Sequence, residues 1–208
     1  MLNKTALLLK PFSTVTDALN FLKPRVEGQI FKKISRFHRE ACTLASIELD
    51  WLKSSGIQGV ILDLDNTIVS EDDRYISPSA EAWLKQAKLQ GFKFFILSNG
   101  KRRERAKAWS EHLDIPIINP ARKPFPFAFR KALNHMQLQP EHVVVIGDSR
   151  HTDILGAWLT GCYSIQVATL PHAFRWWEKL LGKRVQNPYP DGHELWVNDF
   201  LTIRKLSE

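Results

Sequence analysis

Between residues 57 and 170 the chain alternates two textures. Short apolar runs at Gly59–Leu64, Phe92–Leu97, Pro116–Ile118, His142–Ile146 and Tyr163–Val167 predict buried strands. Between them, stretches near residues 79–90, 101–112, 125–137 and 152–160 predict helices. Pro78 suits a helix start, and Gly91 suits a helix end before a strand. Strands alternating with helices imply βαβ units, a mostly parallel sheet and right-handed crossovers. The predicted fold class is α/β with helices on a central parallel sheet.

The flanks read differently. Residues 1–26 carry Pro11 and Pro24 and show no long period. Residues 27–53 predict a helix. Ile30, Ile34, Phe37, Ala41 and Leu44 recur at spacings of three and four, with Lys32, Lys33, Arg36 and Arg39 between them. Gly56 is its expected stop. The segment after residue 170 gathers Phe174, Trp176, Trp177, Tyr189 and Trp196, and predicts a small helix followed by irregular chain on the body. We therefore expect three parts: a basic amphipathic segment at 1–56, an α/β domain at 57–170 and an aromatic-rich tail at 171–208.

Charge sharpens the first of these. The net charge is +7, and residues 1–39 hold eight basic side chains against Asp17 and Glu27. A basic arm on a nearly neutral body implies an anionic partner, either acidic lipid or nucleic acid. The segment at 27–53 either lies on a membrane with its basic residues toward anionic lipid, or packs its apolar stripe on the body. Trp176 and Trp177 beside Arg175 and Lys179 allow the same two readings. No helix-turn-helix, zinc or RNA-recognition pattern supports nucleic acid. No apolar run nears the roughly 20 residues that span a bilayer. Cys42 and Cys162 are too few for a disulfide framework, and no CxxC pair suggests zinc. These features lead us to expect a cytoplasmic protein, at most peripheral on a membrane.

The chemistry lies at the strand ends. The first strand ends in Asp63 and Asp65, two residues apart and followed by Thr67. One strand end can aim both carboxylates at one site. Buried carboxylates need a partner, and Mg²⁺ with oxygen ligands is the natural one. The second strand ends in Ser98 and Asn99, Lys123 precedes the third helix, and the fourth strand ends in Gly147-Asp148 with Asp153 beyond. In a parallel sheet all carboxyl ends share one edge, so these residues can converge. Such a set suits phosphoryl transfer: a nucleophilic carboxylate, a second carboxyl as acid and base, and cations that offset developing charge.

Asp63-Leu-Asp-Asn-Thr67, Ser98-Asn99, Lys123-Pro124 and Gly147-Asp148 with Asp153 resemble, in order, the four motifs of the haloacid dehalogenase (HAD) superfamily. The resemblance implies a Rossmann-like three-layer domain. It makes Asp63 the nucleophile and a Mg²⁺ ligand. Asp65 becomes the general acid/base, with its backbone carbonyl on the metal, and Asp148 a further metal ligand. Ser98, Asn99 and Lys123 become the phosphate-binding set, with Asp153 and Thr67 behind them. The intervals after the first and second motifs leave no room for a cap domain, which implies an open site. Gly56-Ile57, Phe129 to Leu133 and Thr152 to Ala157 are most similar to the capless HAD IIIA (YqeG-type) phosphatases. That group includes phosphatidylglycerophosphate phosphatases, so a phospholipid head group is the substrate this implies. The alternatives are a nucleotide, a sugar phosphate or a phosphoprotein, or a nucleic-acid or ribosome-associated protein whose hydrolase site is incidental. Two positions depart from the pattern: Gly100 stands in place of a second Asn, and Ser149-Arg150-His151 replaces a Gln-bearing segment.

Lys101, Arg102, Arg103 and Arg105 follow the second motif. They form either an anion funnel beside the site or a solvated helix face paired with Glu104 and Glu111. Lys101, Arg102, Arg150 and His151 are the residues expected to rim the substrate.

Overall fold

A computed structural model describes residues 38–173 and 185–198. The chain divides into two compact units, Met1–Arg36 and Phe37–Glu208, and the described residues all belong to the second. The expected arm up to residue 37, and Trp176 and Trp177, lie outside the described residues.

The strands are β1 (His38–Ala41), β2 (Gly59–Leu62), β3 (Tyr75–Ile76), β4 (Lys93–Leu97), β5 (Ile117–Ile118), β6 (Val143–Gly147), β7 (Tyr163–Thr169), β8 (Asn187–Pro188) and β9 (Trp196–Val197). The helices are α1 (Leu49–Ser54), α2 (Ala80–Leu89), α3 (Arg103–Leu113), α4 (Pro126–Met136) and α5 (Leu155–Thr160). The main sheet runs β1-β7-β6-β2-β4-β5, with β8 also on β7, and every pairing in it is parallel. The three-layer α/β reading holds.

Its core follows from alternation along the central strands. Val60 and Leu62 of β2, Phe94 and Ile96 of β4, and Val144 and Ile146 of β6 face one layer with Leu52, Trp83, Leu84 and Trp109. Ile61, Phe95, Leu97, Val143 and Val145 face the other, with Phe129, Leu133, Met136 and Ala157. Helices α1 to α3 cover the first face, and α4 and α5 cover the second. Both faces being covered explains why β2 reads as an unbroken apolar run.

One expectation fails. Over residues 38–53 there is no continuous helix. His38–Ala41 is instead an edge strand in register with Ser164–Val167, followed by a 3-10 turn at Leu44–Ser46 and then α1. The spacing that suggested a helix is met otherwise, since Ala41 packs from the strand and Leu44 is buried in the turn. Arg39 stacks 3.8 Å over the Trp51 ring, and His38 Nδ1 lies 3.0 Å from Ser164 Oγ. Tertiary pairing overrides local propensity here, and the sheet begins well before residue 57. The small helix expected after residue 170 falls mostly outside the described residues, and 185–198 is irregular chain, as expected, broken by two short strands. β8 joins β7, and β9 pairs antiparallel with β3.

Helix α5 crosses α4 closely because Gly156 has no side chain. A Cβ there would run into the Phe129 ring, which is fully buried. We expect Phe129→Ala to lower unfolding free energy by about 3–5 kcal/mol. Urea titration followed by circular dichroism checks this, and a loss no larger than that of a surface substitution would contradict it.

Candidate active site

The sheet order reverses at β2. The chain leaves β2 for β4 and β5 on one side, then returns to β6 and β7 on the other. Open α/β sheets bind ligands at the carboxyl ends beside such a reversal. Asp63 and Asp65 follow β2 there, and Asp148 follows β6. They line a crevice of about 300 Å³ together with Asn66, Asn99, Lys123, Ser149, His151, Thr152 and Gln186.

Asp63 is held at one oxygen. Its Oδ1 accepts from the Leu64 amide at 2.8 Å and lies 2.6 Å from Lys123 Nζ. The same Nζ lies 2.7 Å from Asp153 Oδ1. Asp148 Oδ2 accepts from Thr169 Oγ1 at 2.5 Å and Gln186 Nε2 at 2.7 Å. Ligand oxygens of Asp63, Asp148 and Asp153 fall within 4.8 Å of one another. Three buried carboxylates share the cluster with one buried ammonium, which touches two of them, so the formal charge is −2. A divalent cation with a preference for oxygen would cancel it, and this donor set fits Mg²⁺.

Electrostatics report the same excess. Burial raises Asp63 well above the ordinary carboxylate range, with Asp153, Asp148 and Asp65 pushing the same way and Lys123 opposing. Burial and Asp153 push Asp148 up to about 6, against its hydrogen bonds from Thr169 and Gln186. Burial works against the charge on Lys123, but Asp153 and Asp63 outweigh it and hold the ammonium protonated.

Asp65 occupies a separate position. Its Oδ1 lies 2.6 Å from Arg105 Nη1, and its Oδ2 accepts from Ser98 Oγ at 2.8 Å. Its side chain is therefore outside the three-carboxylate cluster, in which Asp153 is the third member. Gly100 sits beneath it. A Cβ at this position would lie 2.8 Å from Asp65 Oδ2 and 3.1 Å from Ser98 Oγ, which explains the absence of Asn there. Asn99 clasps the next loop: its Nδ2 donates to Lys123 O at 3.0 Å, and the Lys123 amide donates to its Oδ1 at 2.9 Å. Thr67 is buried, and its hydroxyl has no partner among the described residues.

The expected rim divides. His151 lines the crevice, with Nδ1 2.9 Å from Ser149 Oγ. Arg150 turns to Gln166 and Glu40 instead, at 2.7 and 2.8 Å. Arg102 pairs with Asp73 at 3.0 Å and donates to the Glu71 carbonyl. Lys101 is exposed and outside the lining. Of the basic run, Arg105 alone is buried, so it is neither funnel nor solvated face. Sequence reasoning also missed Gln186, Thr169 and Asn119, whose Nδ2 donates to Ser98 Oγ at 3.2 Å and Gly100 O at 2.7 Å. Arg105 had a usable signal: it lies four residues before the buried Trp109, on the core side of α3. Gln186 had none, because its approach depends on how the tail returns to the sheet.

A family model described as haloacid dehalogenase-like hydrolase matches residues 28–157. The chain is 43% identical over 116 residues to the probable phosphatase YqeG of Bacillus subtilis, covering 56% of this chain and 67% of that protein. It is 31% identical over 114 residues to a phosphoserine phosphatase of Thermus thermophilus, covering 50% of this chain but only 46% of that protein. A HAD-superfamily hydrolase from Ehrlichia chaffeensis superposes with a TM-score of 0.48 at 17% identity, over 59% of this chain and 94% of that one.

Raised carboxylate pKa values have a defined consequence. Asp148 binds its proton more tightly folded, at about 6, than unfolded, at about 4. Its stabilising contribution is full below about pH 4 and is lost as pH rises through about 6. Asp63 acts in the same direction. In chelator, the melting temperature should fall as pH rises from about 5 to about 7. Added Mg²⁺ should raise it more at about pH 7.5 than at about pH 5, because ligands must deprotonate. Equal stabilisation by Mg²⁺ at both values would contradict the assignment.

Proposed function

The chain belongs to the haloacid dehalogenase-like hydrolases, and from that premise we propose that it is a Mg²⁺-dependent phosphomonoesterase working through an aspartyl-phosphate. The observation that carries the reading is the placement of Asp63 at the switch point, with one oxygen fixed by Lys123 and Leu64. Oδ2 is then the oxygen left to attack phosphorus. In the first half-reaction the Asp63–phosphorus bond forms and the ester P–O bond breaks. Asp65, in its protonated form, gives its proton to the departing oxygen. In the second, Asp65 takes a proton from water, the water oxygen bonds to phosphorus and Asp63 is released. Lys123 stays cationic and offsets charge on the transferring group. Mg²⁺, held by Asp63, Asp148 and their neighbours, would supply further charge compensation.

For the substrate, we propose phosphatidylglycerophosphate presented at an anionic membrane surface. No cap covers the crevice among the described residues. Just past Lys123, Phe125 and Phe127 at the start of α4 are 68% and 76% exposed, with Arg122, Arg130 and Lys131 also exposed. Bare aromatic rings among basic side chains on the site's edge of the sheet suit an anionic interface. The likeness to a probable phosphatase, YqeG, supports the phosphatase part of the reading and is silent on the lipid. Among the described residues no helix is long and apolar enough to cross a membrane, so the contact proposed is peripheral. A soluble phosphomonoester is the second reading, favoured by the likeness to a phosphoserine phosphatase.

Phosphate release with Mg²⁺ from the lipid in mixed micelles, beside a panel of soluble phosphomonoesters, tests both readings. Asp63→Asn should abolish turnover on every substrate. Joint replacement of Phe125 and Phe127 by Ala should lower lipid turnover roughly 10-fold or more and leave soluble esters within about twofold. Better activity on a soluble ester than on the lipid would overturn the lipid assignment and leave the mechanism standing.

A further inference from the structure

Arg105 is 8% exposed and uses all three guanidinium nitrogens. Nη1 lies 2.6 Å from Asp65 Oδ1, Nε lies 2.5 Å from Asp73 Oδ1, and Nη2 donates to the Ser70 carbonyl at 3.0 Å. Asp73 stands at the tip of a short hairpin and has a left-handed backbone, with φ of 62°. Its carbonyl accepts from Asn198 Nδ2 at 3.1 Å, beside the β3–β9 pairing. One buried cation therefore joins the carboxylate after β2, the hairpin and helix α3.

A purely structural reading would make Arg105 a clamp for the hairpin. That explains Asp73 and Ser70 but not the contact with Asp65. Ser98 Oγ and the bare backbone of Gly100 close on the opposite oxygen of the same carboxylate. Held from both sides, Asp65 has one permitted orientation. A proton donor depends on such orientation, since a displacement of about 1 Å can lower a rate by a factor of about 100. Arg also carries a planar fork that Lys cannot reproduce.

We infer that Arg105 is a positioning residue for the acid/base step: it fixes the Asp65 carboxylate and ties that orientation to the hairpin beside the crevice. This rests on the phosphomonoesterase reading. It assigns Arg105 no contact with substrate.

Leaving-group dependence tests it. An alkyl phosphate needs its departing oxygen protonated, whereas 4-nitrophenyl phosphate scarcely does. Turnover of both is measured for the wild type, Asp65→Asn, Arg105→Gln, Arg105→Lys, Asp73→Asn and the Asp65→Asn/Arg105→Gln double variant. Arg105→Gln should lose roughly 10- to 100-fold more kcat on the alkyl ester than on the aryl ester. KM should be nearly unchanged, and Arg105→Lys should fall between. The double variant should be no slower than Asp65→Asn alone, because both changes remove one function. Asp73→Asn, which weakens the hairpin's hold on Arg105, should also lose more on the alkyl ester than on the aryl ester, by a smaller factor than Arg105→Gln. Equal loss on both esters in Arg105→Gln, or an additive double variant, would overturn the inference. If Arg105→Gln does not fold, Arg105→Lys decides: a wild-type ratio of alkyl to aryl turnover would overturn it. Failure of Asp65→Asn itself to discriminate between the esters would instead overturn the acid/base role of Asp65.

Discussion

The structure depends on a charge imbalance at the carboxyl ends of β2 and β6. Asp63, Asp148 and Asp153 are buried together with one ammonium, that of Lys123, which touches Asp63 and Asp153. Removing charges from water is unfavourable by several kcal/mol per ion unless partners compensate. Lys123 compensates part of the cluster, and the hydrogen bonds from Thr169 and Gln186 another part. The remainder appears as raised affinity of Asp63 and Asp148 for protons. The same excess negative charge that favours protons favours a divalent cation. The scaffold holds these carboxylates in place because both faces of the sheet are filled with apolar side chains and covered by helices.

Much of this was legible in the sequence. The strands and helices expected between residues 59 and 169 fall within a few residues of their observed bounds, because each central strand is a compact apolar run and each crossover helix is amphipathic, while the short β3 was not expected. Chain order and the right-handed rule then bring Asp63, Ser98, Lys123 and Asp148 to one edge. The residues that fix these groups were less visible. Gln166 supports the Asp148 carbonyl, and Asn119 supports Ser98, each across long sequence separations. Such contacts depend on register between distant strands, which a local pattern does not encode. His38–Ala41 shows the reverse error: helical spacing was present, but pairing with β7 supplied the backbone hydrogen bonds instead.

The basic run after the second motif shows how one composition divides into different physical roles. Arg102 stays exposed and pairs with Asp73 from outside, whereas Arg105 turns inward on the face that carries Trp109. Burial is tolerable for Arg105 because two carboxylates and a carbonyl meet its fork. Charge counting alone treats these side chains as equivalent, while helical phase separates them. Gly100 is a second case. Its departure from the family pattern leaves the space that Asp65 and Ser98 occupy, so it belongs to the same packing problem as Arg105.

The segment beyond β7 belongs to the site as well as to the sheet. Gln186 reaches the Asp148 carboxylate from one side of the crevice, and Asn198 holds the hairpin on the other. Both lie beyond the residues matched by the family model, which ends at 157. Among the described residues no cap orders the loops around the crevice. Here that ordering comes from two short pairings of the returning chain, β8 on β7 and β9 on β3. They fix the walls, and among the described residues nothing roofs them. A crevice ordered in this way suits the proposed reading of a phosphate carried on a bulky group that stays outside. Phe125, Phe127 and the neighbouring arginines are the side chains it would meet there.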